Sequence, residues 1–241
     1  TDGGTEGGTD GQADGRPGSA ADASWRAAVA ALMAEHDVRL VTVEVPAHAT
    51  TRDELAGPLR AALGTAADVT AYDGVLSLLA ADRLETDAGA AGDGMTGDGV
   101  TGDGGTGAVP AEVASTLALI QALGDTGVDA PLWCATRDAV AVGHADVRTA
   151  PGRSALWGLG RVAALEYPER WGGLVDLPEA ADTAALSRLG RVLGGAWAGE
   201  DQIAVRGSGA FGRRVVRAPY DGEPAAAWAP HGTVLVTGGT G

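Results

Sequence analysis

Lysine is absent from this sequence, and all 17 basic residues are arginine. No Schiff base and no tyrosine–lysine proton-donor pair can therefore be assembled from these residues. Cysteine occurs once, at Cys134, which excludes an intrachain disulfide and a zinc site built on cysteines. Positive charge is scarce, because 32 acidic residues leave a formal net charge of −15. Nucleic acid and anionic membrane surfaces require clustered positive charge, so neither is an expected partner. No apolar run approaches the roughly 20 residues that span a bilayer. The first ten residues, TDGGTEGGTD, have neither the basic nor the apolar region of a signal peptide. The expected location is cytoplasmic. Aromatic residues make up only 4%, so the core must come mostly from Ala, Val and Leu within the 45% hydrophobic fraction.

Two stretches have almost nothing to bury. Residues 1–21 are largely Gly, Asp, Thr and Ala, and 86–108 holds GDGMT, GDGVT and GDGGT in direct succession. Both are expected to be disordered, the second as a surface insertion. Calcium-binding β-rolls repeat every nine residues with a large aliphatic in each repeat. The five-residue period here does not fit them, and no metal site is assigned.

Elsewhere the apolar spacing switches between helical and strand periods. Trp25, Val29, Leu32 and Met33 predict a helix over 22–36, capped by Asp22 or Ser24. Alternation at Val38, Leu40, Val41, Val43 and Val45 predicts a strand over 37–46, ended by Pro46. A helix is predicted over 51–63, with Pro58 allowing a kink or a later start. A buried strand follows over 72–79, then a helix from Pro110 with Val113, Leu117, Ile120 and Leu123 on one face. Strand 131–136, helix 151–167, strand 173–177, helix 182–193 and a hairpin over 201–216 complete the order. Residues 219–231 read as a linker. Strict alternation with helical crossovers implies an open parallel sheet with helices on both faces, an α/β doubly wound domain, followed by the first strand of a second one.

Two glycine motifs stand out. Gly158-Leu159-Gly160-Arg161-Val162-Ala163 matches G-x-G-x-x-A, but it lies inside the helical pattern begun at Pro151. A dinucleotide fingerprint belongs in a strand-to-helix turn, so close helix packing is the expected role. Thr237-Gly238-Gly239-Thr240-Gly241 has the right context, directly after the strand predicted over 233–236. There Gly238 would permit a tight turn and Gly241 a close approach of backbone to phosphate. These five residues are the candidate cofactor-binding positions.

From Val109 onward the chain resembles a known family. AEVASTLALIQALGDTGVDAPLWCATRDAVAVG, SALWGLGRVAALEYPERWGGLVDLP, GEDQIAVRGSGAFGRRVVRAP and GTVLVTGGTG resemble the ketoreductase region of modular type I polyketide synthases, in the family's order. The resemblance implies a degenerate Rossmann-like structural half, binding no cofactor, over 22–218, with 86–108 as an insertion. It implies that 232–241 opens the NADPH-binding catalytic half. That half would reduce a β-ketoacyl chain on an acyl carrier protein, and its partners would include neighbouring synthase domains. The family's catalytic Ser, Tyr, Lys and Asn lie beyond the glycine motif, so no catalytic residue is assigned here. A further strand precedes the first helix in that family, and the low-complexity start cannot supply it. The alternative is a self-contained nucleotide-binding or scaffold domain, with 158–163 as its site.

Individual side chains read less dramatically. His144 is expected in an exposed loop, and Cys134 as a small buried hydrophobe. Trp157 and Trp171 are expected to pack in the core or an interface. Arg161, Arg170, Glu166 and Glu169 are expected to form a solvated or interface charge cluster. Tyr72, Tyr167 and Tyr220 have no lysine to lower a phenol pKa.

Overall fold

The computed structural model describes residues 25–46, 48–66, 71–81, 109–143, 151–217, 222, 229 and 231–238. The Gly/Asp/Thr-rich stretches 1–21 and 86–108 lie outside the described residues, as do His144, Tyr220 and most of the 219–231 linker.

Five helices are described: α1 (Trp25–Glu35), α2 (Arg52–Thr65), α3 (Ala111–Asp125), α4 (Pro151–Glu166) and α5 (Thr183–Leu193). They are interleaved with β1 (Val75–Ser77), β2 (Leu132–Arg137), β3 (Trp171–Leu177), β4 (Gln202–Arg206) and β5 (Gly209–Gly212). The strands form one sheet in the order β1-β2-β3-β4-β5. The first three pairings are parallel and β4–β5 is an antiparallel hairpin. This is the open α/β sheet that the alternation implies, with an antiparallel hairpin at one edge.

Strand periodicity divides the core in two. Leu132, Cys134 and Leu174 face α2, α3 and α4, where Leu55, Leu59, Leu119, Ile120, Leu123, Leu156 and Trp157 cover them. Ala135, Val175, Leu177 and Val205 face the other way, under Trp25 and Val29 of α1 and Ala185 and Leu189 of α5. Each fully buried Leu or Val contributes roughly 1.5–3 kcal/mol. A core poor in aromatics is thus held by many modest contributions. Trp25 fixes α1 on its face by donating its indole N–H to the Pro178 carbonyl at 3.1 Å.

Local chemistry sets the helix ends. Glu54 accepts from the backbone N–H groups of Thr50 and Thr51, both at 3.0 Å, and from the Thr51 hydroxyl at 2.8 Å. That carboxylate fixes the start of α2 in the reciprocal manner of a capping box. Asp182 caps α5 by accepting from the Ala185 N–H at 2.7 Å. Beyond α3, Gly127 takes φ +70°, and Val128 N–H reaches back to the Leu123 carbonyl at 3.1 Å. The same turn closes α1, but there Asp37 occupies the left-handed position at φ 54°, with Val38 N–H on the Met33 carbonyl. Pro58 lies within α2, which runs on past it to Thr65.

Three expectations need correction. Segment 37–46 is not a strand of the sheet: Val41, Val43 and Val45 are half-buried, but Val38 and Leu40 of the same predicted alternation are exposed. Sheet membership needs a neighbouring strand, and none of the described residues supplies one beside it. The hairpin strand predicted to reach Val216 stops at Gly212, and Val215 and Val216 stand exposed. The segment 233–236 is also unpaired among the described residues.

Candidate functional site

The candidate cofactor residues divide at the limit of description. Thr237 and Gly238 are described, while Gly239, Thr240 and Gly241 are not. Gly238 has φ +73°, the left-handed conformation that a tight turn after a strand requires and that glycine adopts without a Cβ penalty. Among the described residues, no atom lies within 4 Å of where its Cβ would stand. Before it, Leu235 is 87% and Val236 71% exposed. An apolar β-forming run in solvent lacks the neighbours that would bury it.

The second motif is a packing feature. Residues 158–163 lie wholly inside α4, not in a turn. A Cβ on Gly160 would fall 2.6 Å from Leu174 Cδ1 and 3.0 Å from the Trp171 ring, so α4 sits on β3 at a distance only glycine permits. Gly158 faces open space.

The C-terminal ends of parallel strands are where open α/β sheets bind ligands. At that end of β3 the described residues form a buried polar network. Asp176, near the end of β3, is fully buried. Its Oδ1 accepts from the Thr136 hydroxyl at 2.6 Å and the Ala139 N–H at 2.8 Å. Its Oδ2 accepts from the Val140 N–H at 3.3 Å and from Arg206 Nη2 at 2.6 Å. Arg206, the last residue of β4, also donates to the carbonyls of Val140 at 2.5 Å and Val205 at 2.8 Å. Trp157 adds its indole N–H to the Thr136 hydroxyl at 3.1 Å, and Ser154 holds the Ala139 carbonyl at 2.9 Å. Strands β2, β3 and β4, helix α4 and the loop after β2 thus meet on one carboxylate. A buried charge is tolerated only when its lone pairs are met in this way. The turn there is tight, with Asp138 at φ 51°.

None of these roles was assigned from the sequence. The available signal was a lone acid in the apolar strand GLVDL and an arginine closing QIAVR. Other side chains fall nearer to expectation. Cys134 is buried, and burial pushes its thiol up to about 12. Trp157 is in the core and Trp171 packs against it. The expected charge cluster does not include Arg170. Its guanidinium lies 5.9 Å from the Tyr167 ring centroid and donates to the Ile120 carbonyl at 3.4 Å, near the C-terminal end of α3. The chain turns there because α4 ends at Glu166 and Pro168 starts a short 3-10 turn.

No group of residues suited to holding a metal ion, and no helix long and apolar enough to cross a membrane, occurs among the described residues. The roomier concavity, about 310 Å³, is lined by Leu63, Tyr72, Thr126 and Asp129 at the opposite, N-terminal end of the sheet.

Comparison with known proteins accords with this geometry. Residues 16–215 match the family described as the Rossmann fold domain of the polyketide synthase extender module SpnB. The pikromycin polyketide synthase component PikAII of Streptomyces venezuelae is 51% identical over 189 residues, which cover 78% of this chain and 4% of that protein. The erythronolide synthase EryA2 of Saccharopolyspora erythraea is 45% identical over 169 residues, 70% of this chain and 4% of that protein. A solved C2-type ketoreductase from a modular polyketide synthase superimposes with a TM-score of 0.65 at 45% identity, covering 82% of this chain and 39% of that one. The first ketoreductase of the tylosin synthase gives 0.63 at 36% identity, covering 87% of this chain and 39% of that one. The chain thus spans well under half of the solved ketoreductases and a few per cent of the synthases. It belongs to the Rossmann-fold domains of polyketide synthase extender modules, the structural subdomain of a modular ketoreductase.

Proposed function

We propose that this chain is the non-catalytic half of a β-ketoreductase, serving to hold and orient a catalytic half that reduces β-ketoacyl chains on an acyl carrier protein with NADPH. The observation that carries this reading is the Asp176–Arg206 network. It buries the acid near the C-terminal end of β3 in contacts within the protein, leaving it no free lone pair for a ligand. The structural half extends over 22–218, 219–231 links it onward, and 232–241 opens the NADPH half at Thr237, Gly238, Gly239, Thr240 and Gly241. The exposure of Leu235 and Val236 supports that boundary, because a first strand has no sheet until the strands of its own unit flank it. Partners of this chain are the catalytic half, the carrier protein and adjoining synthase domains, in the cytoplasm. Its contribution to rate is positional, the support that a rigid scaffold gives to a reactive constellation built elsewhere.

The test is titration of NADPH into the purified chain, followed by nicotinamide fluorescence, with ketone reduction assayed in parallel. The expected result is no saturable signal and no turnover. Saturable binding that Gly160→Val abolishes while circular dichroism is unchanged would establish the self-contained nucleotide module instead.

A further inference from the structure

We draw no further inference here: the strongest candidate, the solvent-facing seam of α4 formed by Ala155, Gly158, Val162 and Leu165, is an unpartnered face, and nothing in the structure shows what covers it.

Discussion

Arg206 reaches from the end of β4 to Asp176 on β3, placing Nη2 2.6 Å from Oδ2 in a site where the carboxylate is fully buried and the guanidinium nearly so. The pair lies near the C-terminal end of β3 and ties down the loop after β2 through Ala139 and Val140. Removing one member of a buried pair leaves the other without compensation, at a typical cost of about 3–5 kcal/mol. Asp176→Ala is therefore expected to lower unfolding free energy by that order in urea titrations followed by tryptophan fluorescence. Hydrogen exchange at the Ala139 and Val140 amides should accelerate beyond what global destabilisation explains. A loss under about 1 kcal/mol would be an ordinary hydrogen-bond effect and would show that the pair does not hold the loop after β2.

Gly158 and Gly160 are two residues apart on α4 and should respond in opposite directions. Alanine at Gly158 enters open space. It gains the helix propensity that glycine forgoes, about 0.5–1 kcal/mol. Alanine at Gly160 meets Leu174 and Trp171. Leu174 is fully buried and cannot step aside, so overpacking of roughly 1–3 kcal/mol should outweigh the propensity gain. Thermal unfolding of the two single variants gives both signs. If both substitutions stabilise, the close α4–β3 approach is not the reason glycine stands at Gly160.

The helices were legible because their signals are local. Asp182 capping α5, Thr51 with Glu54 at the start of α2, and Pro168 beyond α4 act within a turn or two of chain. Sheet membership was less legible, because it depends on what lies alongside. The alternation over 37–46 holds for Val41, Val43 and Val45 but fails at the exposed Val38 and Leu40, and no strand partner follows from it. The Asp176 network escaped sequence reasoning for the same reason. The partners of Asp176 sit 30 to 40 positions from it, brought together by strand register, which places Thr136 beside Asp176 and Asp176 beside Ala204. Of the candidate cofactor site, the positive φ at Gly238 follows from the motif, whereas the exposure of its preceding run depends on neighbouring strands.

Cys134 provides a probe of global opening. A thiol raised to about 12 by burial alone carries negligible thiolate near pH 8, and thiolate is the reactive form. Labelling by a disulfide reagent at pH 8 should be slow in the native protein and should track the unfolding equilibrium as urea is added. Rapid stoichiometric labelling without denaturant would show that the face between the sheet and α2, α3 and α4 opens locally. The same experiment on Asp176→Ala should show labelling faster by the factor by which the unfolding equilibrium constant rises, tenfold for each roughly 1.4 kcal/mol lost.

Acid should weaken the fold partly through three surface carboxylates. Glu54 is held below its ordinary range first by the Thr51 hydroxyl and then by the N–H groups of Thr50 and Thr51. Asp125 is lowered by the hydrogen bond from Arg52, and Glu200 by the hydrogen bond from Arg214. A folded pKa below the unfolded value near about 4 means the unfolded chain binds protons more readily. The stabilisation is therefore complete above that unfolded value and is lost as pH falls through the folded one. Glu54 is exposed and the Asp125 and Glu200 side chains are partly so, and all three lie at the surface, so each effect is small and screened by salt. The expected outcome is a urea midpoint nearly flat from pH 8 to 5 and falling below about pH 4. In the Glu54→Gln, Asp125→Asn, Glu200→Gln variant the acid limb should be shallower, and the difference should shrink in 1 M salt. Superimposable acid limbs would mean these pairings persist in the unfolded chain or contribute nothing to its balance with the native state.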